Sequence, residues 1–173
     1  TAWAASVEGT VRFPKEGNAV KDTASLMKRV NEAIDRLAPE AIALSDDLAA
    51  NPEISEQEFE SSRKHARFLE RAGFEVEIPF YGISTAYRGR INKGANGRVA
   101  LLAEYDALPE IGHACGHNVH GAMSLLAGAG LAPVMDELAG DLWVTGTPAE
   151  ETNGAKITMA AGGLFDEVDL ALM

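Results

Sequence analysis

The segment that most constrains the fold is Arg98–Ala103, which is apolar at nearly every position. A run of this kind is typical of a β-strand that is covered on both faces. Sheets built from such strands have helices packed against them. The run is followed by Glu104, Tyr105 and Asp106, so acidic side chains are expected at the point where the strand ends.

Helical and strand patterns alternate along the rest of the chain. Apolar residues recur every three or four positions from Asp22 to Ala50, where Pro39 either kinks the helix or opens a second one. Asn51-Pro52 ends this segment. The alternation predicts an α/β layered sheet. A second helix is predicted to open at Ser55, to run through Leu69 and to stop at Gly73. Further helices are predicted over 119–131 and 155–161, and strands over 74–78, 85–91, 98–103, 141–145 and 168–173.

Two local patterns concern the second helix. Ser55-Glu56-Gln57-Glu58 has the form of a capping box, in which a hydroxyl and a carboxylate satisfy free amides at the helix start. His65 lies in a stretch of this helix that is rich in Lys and Arg, and we expect its side chain to be exposed to solvent.

The length of 173 residues predicts one domain with a substantial core. Residues 1–20 are mixed in character and contain Gly9, Pro14 and Gly17. We therefore expect an N-terminal arm at 1–20 and a domain over 21–173. No signal peptide pattern of a basic region followed by an apolar run is recognised.

The charge balance limits the partners. The formal net charge is −11, which argues against nucleic acid or an anionic membrane surface, because both attract clustered Lys and Arg. No apolar run reaches the roughly 18 residues of a membrane span. A lone cysteine forms no internal disulfide, and a thiolate ligand needs a reducing compartment, so the cytoplasm is the expected location.

The segment His113–His120 contains three of the four histidines and the only cysteine. Imidazole, thiolate and carboxylate are ligands for zinc and related ions. Cys115 and His117 are two positions apart, so in an extended segment both would point the same way towards one metal or a pair of metals. The alternative is a buried structural cysteine beside capping histidines.

Glu150 and Glu151 follow the strand predicted over 141–145. One carboxylate of such a pair can bind a metal while the other accepts a proton from water. The alternative is a solvated acidic pair that opens a helix. Because ligand groups gather at the carboxyl ends of strands in α/β sheets, this pair and the acidic residues after Ala103 are expected to lie near the histidine cluster.

The remaining histidines of the cluster are candidates for outer roles. His120 shares a helix face with His117 and either orients a ligand or lies behind the ligands. His113 has the same two possibilities, and the position behind the ligands is favoured for it. Glu104 is a third candidate for such an outer position. The stretch Ala127-Gly128-Ala129-Gly130 resembles a dinucleotide-binding loop only superficially, because it is predicted to lie late in a helix.

Together these residues resemble the M20 metallopeptidase family, in particular its amidohydrolase branch, which includes aminobenzoyl-glutamate hydrolases, N-acyl-amino-acid hydrolases and auxin-conjugate hydrolases. The resemblance rests on four segments spread in order over residues 51–151. They are Asn51-Pro52-Glu53, Ala103-Glu104-Tyr105-Asp106-Ala107-Leu108-Pro109, His113-Ala114-Cys115-Gly116-His117-Asn118 and Gly146-Thr147-Pro148-Ala149-Glu150-Glu151.

The resemblance implies a three-layer, zinc-peptidase-like catalytic domain with a mostly parallel mixed sheet, and a site for two divalent ions, zinc or manganese, with cobalt or nickel also compatible. It implies that Cys115, His117 and Glu151 are metal ligands. It further implies that Glu150 is the general base and that Asp106 orients the site. Glu104 stands where other branches of the family have a ligand histidine, and Asn118 stands where this branch often has Asp.

The implied reaction is hydrolysis of the amide bond in an N-acyl or aryl-acyl amino acid, or in a dipeptide. The resemblance also implies a homodimer. It further implies that the dimerisation domain, the remaining ligands and the C-terminal part of the catalytic domain lie outside this sequence, which leaves the sheet incomplete and the isolated piece inactive. Two other functions are compatible with the residues: a non-catalytic module that binds metal or amino acids, and a cysteine hydrolase that uses Cys115 with a histidine.

Overall fold

The computed structural model describes residues 22–94 and 96–173, so the arm predicted at residues 1–20 lies outside the described residues. The chain forms helices and strands in alternation, as predicted, and Ala132–Val134 adds a 3₁₀ turn. The helices are α1 (Thr23–Ala50), α2 (Phe59–Arg71), α3 (His117–Leu131), α4 (Met135–Leu138) and α5 (Ala155–Ala161). The strands are β1 (Glu75–Glu77), β2 (Tyr87–Asn92), β3 (Arg98–Ala103), β4 (Asp141–Gly146) and β5 (Leu170–Leu172).

The five strands form one mixed sheet in the order β1-β2-β4-β3-β5. Strand β3 is parallel to both β4 and β5, whereas β2 is antiparallel to β4 and to β1. Only β2 therefore runs against the other strands. The register pairs Arg98 with Asp141 and Ala103 with Gly146. Because β3 and β4 start and end together, the segments that follow them leave the sheet side by side.

Both faces of the sheet are covered, as the apolar run Arg98–Ala103 predicts. On one face Leu101 and Ala103 join the main core with residues of α1, α2 and α3. On the other face Ala100, Leu102 and Trp143 pack under the segment that follows α5. The α/β prediction of a layered sheet with helices on its faces is confirmed.

Helix α1 is one continuous helix from Thr23 to Ala50, so Pro39 does not open a second helix. Pro39 lies on the exposed face of α1, where water can satisfy the carbonyl that loses its partner. The helix begins at Asp22, whose side chain accepts a hydrogen bond from the Ser25 amide at 3.0 Å.

The capping box predicted at Ser55–Glu58 is wrong. Helix α2 begins at Phe59, and Glu56 has a positive φ of 69° that is incompatible with a helical turn. The free amides of Glu60 and Ser61 are instead bound by the Glu53 carboxylate, at 3.1 and 2.7 Å. A carboxylate from outside the helix therefore does the capping that the local pattern assigned to Ser55.

The prediction that His65 is exposed is also wrong. Its side chain is fully buried, and its Nδ1 lies 2.9 Å from the Tyr87 hydroxyl. His65 shares the inward face of α2 with Ser61 and Leu69, whereas the neighbouring Arg67 points to solvent. Burial and the nearby His113 lower the pKa of His65 to about 3, so this imidazole is neutral in the folded chain.

Helix α3 approaches strand β4 and helix α1 closely through two of its glycines. A Cβ at Gly128 would lie 2.5 Å from Val144 Cγ2, and one at Gly130 would lie 2.6 Å from Ile34 Cγ1. These glycines therefore serve helix packing on β4 and α1, in agreement with the rejection of a dinucleotide loop. Among the described residues, no helix has both the length and the apolar character needed to cross a bilayer.

Candidate metal centre

The candidate site lies at the carboxyl ends of β3 and β4. After β3 the chain continues into Glu104 and Asp106, and after β4 it continues through a turn to Glu150 and Glu151. The Thr147 amide donates to the Ala103 carbonyl at 2.8 Å, which extends the parallel pairing by one residue and holds the two exits together. The convergence of these acidic segments is the arrangement expected from the sheet topology.

His117 is the first residue of α3. Gly116, with φ +82°, precedes it in the left-handed conformation and turns the chain into the helix. The expected extended geometry of Cys115 and His117 is therefore wrong, since one residue lies in a turn and the other in a helix. Cys115 is also exposed, which excludes the alternative of a buried structural cysteine.

The orientation of the His117 ring is fixed by Asp106. Its Nδ1 lies 3.0 Å from the Asp106 backbone carbonyl and 3.0 Å from Asp106 Oδ1. Both atoms are hydrogen-bond acceptors, so Nδ1 carries the hydrogen. In a neutral imidazole the other nitrogen, Nε2, then has a free lone pair. This is the arrangement in which a histidine typically binds a metal ion.

Three carboxylates surround this Nε2. The nearest oxygens of Glu104, Glu150 and Glu151 lie 3.3, 3.7 and 3.9 Å away. A lone pair that faces three carboxylate oxygens is repelled unless a cation lies between them, either a second proton on the ring or a metal ion. Ligands of a tetrahedral ion with bonds of about 2.0–2.2 Å are roughly 3.3–3.6 Å apart. The donor set and its spacing therefore fit a divalent metal.

Ligand atoms of His117, Glu150 and Glu151 all lie within 4.8 Å of one another. Two of these residues, His117 and Glu151, are predicted ligands, while Glu150 is the predicted base. The Cys115 sulfur is not in this compact group. A hydrogen bond to the Glu151 carboxylate, with smaller effects of desolvation and of nearby acidic residues, raises the pKa of Cys115. The thiol therefore lies beside the group without belonging to it.

The raised pKa of Cys115 also bears on the alternative of a cysteine hydrolase. A nucleophilic cysteine needs a lowered pKa, usually from a neighbouring cation. Cys115 instead has acidic neighbours that disfavour the thiolate. In the absence of a bound cation, this environment does not activate a cysteine nucleophile.

Asp106 connects several parts of the site. Besides its contact with His117, its Oδ2 accepts hydrogen bonds from the Ser55 hydroxyl at 2.8 Å and from the Glu151 amide at 3.0 Å. Asp106 is buried, with an exposed fraction of 1%. One carboxylate thus fixes both an imidazole on α3 and the backbone that carries Glu151, which is consistent with an orienting residue.

Glu104 is held between a cation and the histidines. Its carboxylate contacts the Lys156 ammonium of α5, and its backbone amide donates to His120 Nδ1 at 3.2 Å. Because His120 Nδ1 accepts this bond, its hydrogen is on Nε2, which has no hydrogen-bond partner among the described residues. Burial lowers the pKa of His120. Burial and the nearby His117 together lower the pKa of His113. Outer roles for His113, His120 and Glu104 stay predictions.

Two contacts of the site have no signal in the local sequence. Ser55 was interpreted as a helix cap, yet it contacts Asp106, 51 positions away. Lys156 lies in a short helix and contacts Glu104, 52 positions away. Asn118, next to His117, makes a further distant contact, because its side-chain amide donates to the Ser45 hydroxyl at 3.0 Å and so joins α3 to α1.

Comparison with known proteins gives a consistent result. Residues 100–173 match the model of peptidase family M20/M25/M40. An Xaa-Arg dipeptidase of Mus musculus is 36% identical over 162 residues, which cover 86% of this chain and 37% of that protein. One of the subunits of p-aminobenzoyl-glutamate hydrolase from Escherichia coli strain K12 is 30% identical over 162 residues, which cover 83% of this chain and 34% of that protein. The chain thus spans little more than a third of the length of these relatives.

Two solved structures have a similar fold. A dinuclear metal-binding peptidase of the M20 family from Bacillus subtilis superposes with a TM-score of 0.68 at 28% identity, covering 78% of this chain and 41% of that one. A candidate aminohydrolase from methicillin-resistant Staphylococcus aureus superposes with a TM-score of 0.73 at 29% identity, covering 83% of this chain and 41% of that one.

Proposed function

Since this chain belongs, through residues 100–173, to peptidase family M20/M25/M40, we propose that its protein hydrolyses an amide bond with the help of two divalent metal ions. The observation that carries the proposal is the environment of His117. Its Nε2 lone pair faces oxygens of Glu104, Glu150 and Glu151 at 3.3–3.9 Å, a donor set that needs a cation.

The residues that would hold metal are His117 and Glu151, together with the Cys115 thiolate. A bound divalent ion supplies a Lewis acid that polarises the scissile carbonyl and makes water a stronger acid. Deprotonation of Cys115 is unfavourable beside Glu151 alone, and a metal would reverse this effect because a coordinating thiol loses its proton.

Glu150 is suited to move the proton. Its side chain is 38% exposed, and an oxygen lies 3.7 Å from His117 Nε2, so it faces both the candidate ligands and the solvent from which substrate arrives. In the proposed reaction Glu150 accepts a proton from the attacking water and gives it to the leaving amine. Asp106 holds His117 and the Glu151 backbone in place.

We propose an N-acyl or aryl-acyl amino acid, or a dipeptide, as the substrate. Support comes from relatives named as an Xaa-Arg dipeptidase and a p-aminobenzoyl-glutamate hydrolase. The substrate in each of these names contains an amide bond to an amino acid. Zinc or manganese is the proposed metal, and cobalt or nickel would suit the same nitrogen, oxygen and sulfur ligands. A homodimer is proposed from the family resemblance, and the cytoplasm from the need for a reduced thiol.

A second candidate is a module of the same fold that binds metal or amino acids without catalysis. The observation behind it is the single compact group of three ligands among the described residues, which can hold one ion without any catalytic step.

Metal analysis combined with a hydrolysis assay tests the proposal. The intact protein, loaded with zinc or manganese, is expected to contain two ions per chain and to hydrolyse p-aminobenzoyl-glutamate or an Xaa-Arg dipeptide. A chelator should abolish turnover and added metal should restore it. Stoichiometric metal without hydrolysis of any N-acyl amino acid or dipeptide would favour the binding module. Absence of bound metal would refute the metal-dependent hydrolase and a metal-binding module alike.

A further inference from the structure

A buried carboxylate that contacts the turn before Glu150 has no role in the reaction described above. Glu58 has no exposed surface, and its Oε1 accepts a hydrogen bond from the Ala149 amide at 2.8 Å, across 91 positions of sequence. We propose that Glu58 is a positioning residue for the proposed hydrolysis, because it fixes the backbone conformation that aims Glu150 at His117. This inference rests on the proposed function.

The conformation of Ala149 is one that needs support. Its φ is +57°, in the left-handed region where a residue with a Cβ is strained. The Ala149 carbonyl is satisfied within the turn, since it accepts the Gly154 amide at 2.7 Å. The Ala149 amide has no such local partner and is bound by Glu58 instead. The strained residue is thus held on one side by its own turn and on the other by a distant helix.

The two buried carboxylates bracket the proposed base. Glu58 binds the amide of the residue before Glu150, and Asp106 binds the amide of the residue after it, at 2.8 and 3.0 Å. Together they fix the backbone on both sides of Glu150. A change in the Ala149 conformation would rotate the Glu150 side chain away from His117 while leaving the Asp106 contact possible.

Helix capping does not account for Glu58. It precedes α2 directly, but its side chain makes no capping hydrogen bond. The amides of Glu60 and Ser61 are bound by Glu53 instead. Burial is unfavourable for a carboxylate and raises the pKa of Glu58, and hydrogen bonds with the Ala149 amide, the Thr85 hydroxyl and the backbone amides of Glu56 and Glu58 partly offset this. None of these contacts caps α2. Glu53 is therefore a matched control: a carboxylate at the same helix end that contacts α2 and not the turn.

Three variants of the intact, metal-loaded protein separate these roles. Glu58→Met loses the acceptor, and we expect kcat for the better of the two substrates named above to fall about 10–100-fold with KM changed less than about threefold, as for supporting residues around metal sites. Glu58→Gln keeps an acceptor oxygen for the Ala149 amide, so that this amide is not left without a hydrogen bond, and kcat should stay within about threefold of wild type. Glu53→Met should lower the melting temperature without changing kcat.

A double variant tests the backbone argument. Glycine tolerates φ +57° without strain, so Glu58→Met combined with Ala149→Gly should recover kcat relative to Glu58→Met alone. The proposal is overturned if Glu58→Met has wild-type kcat, if Glu53→Met lowers kcat equally, or if the double variant recovers nothing.

Amide hydrogen exchange gives a readout that needs no turnover. In wild type the Ala149 amide should exchange slowly, and in Glu58→Gln it should remain protected. A rapidly exchanging Ala149 amide in wild type overturns the proposal even if Glu58→Met does not fold. Absence of metal-dependent hydrolysis in wild type, with a protected Ala149 amide, would instead count against the proposed function and leave the Glu58 contact intact.

Discussion

The two ends of strands β3 and β4 carry similar charged residues and use them differently. At the amino ends, Arg98 donates to Asp141 at 2.7 Å and to Glu167 at 2.8 Å, and its backbone amide donates to Asp169. At the carboxyl ends, Glu104, Asp106, Glu150 and Glu151 surround His117.

The two ends differ in how well cationic side chains neutralise the carboxylates. At the amino ends the guanidinium of Arg98 is built into the sheet and joins two carboxylates, which raises the pKa of Arg98. At the carboxyl ends Lys156 contacts only Glu104 among the four carboxylates, so the carboxylates outnumber the cationic side chains. One end of the sheet is thus a closed ion-pair network that contributes stability, and the other has the electrostatics of a site for an added cation.

Neutralising the proposed base should give the largest effect. Glu150→Gln keeps the size of the side chain but removes the group that accepts a proton, so kcat should fall about 10²–10⁴-fold, the range for general-base catalysis. Glu167→Gln at the opposite end, which weakens an exposed pair with Arg98, should leave kcat unchanged. Steady-state kinetics of both variants decides this, and equal losses would contradict the division between the two ends.

Asp106 should matter for metal affinity. Asp106→Asn replaces an acceptor shared by His117, Ser55 and the Glu151 amide, and we expect metal to bind about 10–100-fold more weakly. Asp141→Asn is the matched change at the other end and should leave metal affinity as in wild type. Competition with a metal-binding dye measures both, and an unaltered affinity in Asp106→Asn would remove Asp106 from the orienting role.

Removing the built-in cation should affect stability and not binding. Arg98→Met leaves the buried Asp141 carboxylate with only the Trp143 indole as a side-chain donor. We expect the free energy of unfolding to fall by about 1–3 kcal/mol, the usual effect of removing a charged hydrogen-bond partner. Urea denaturation measures this loss. Metal titration of the folded variant should match wild type, and weakened binding would show that the two ends are coupled.

The last prediction concerns the pH dependence of stability. Because the pKa of His65 is about 3 in the folded chain, against 6.5 for an unperturbed histidine, the unfolded chain takes up a proton first as pH falls. The His65 contribution to stability is fully present above pH 6.5 and is lost between pH 6.5 and 3, by at most about 1.4 kcal/mol per pH unit.

Paired denaturation curves at about pH 7.5 and about pH 5, on either side of the unperturbed histidine pKa, test this direction. The stability difference between wild type and His65→Gln should shrink at the lower pH, because the variant has no imidazole to protonate. The difference between wild type and Arg98→Met should change less, since arginine stays charged at both values. A His65→Gln difference that is the same at both pH values would contradict the buried, neutral state of His65.

Sequence alone determined those features that depend on local pattern. The unbroken apolar run Arg98–Ala103 predicted a strand covered on both faces, and the acidic residues that follow it predicted a site at its carboxyl end. The concentration of His and Cys in residues 113–120 predicted the other half of that site, and of these residues His117 lies among the carboxylates. These features are visible in sequence because periodicity and residue chemistry act over a few positions.

Tertiary structure alone decided which groups each side chain meets. The Lys and Arg residues near His65 predicted an exposed side chain, and the packing of α2 against Tyr87 and Tyr105 buried it. Ser55 fitted a local cap, yet its hydroxyl contacts Asp106. Glu58 and Ala149, 91 positions apart, meet only once β4 is in the sheet and α2 is packed beside it. Such pairs are set by strand register and by burial, which bring together residues that no local pattern connects.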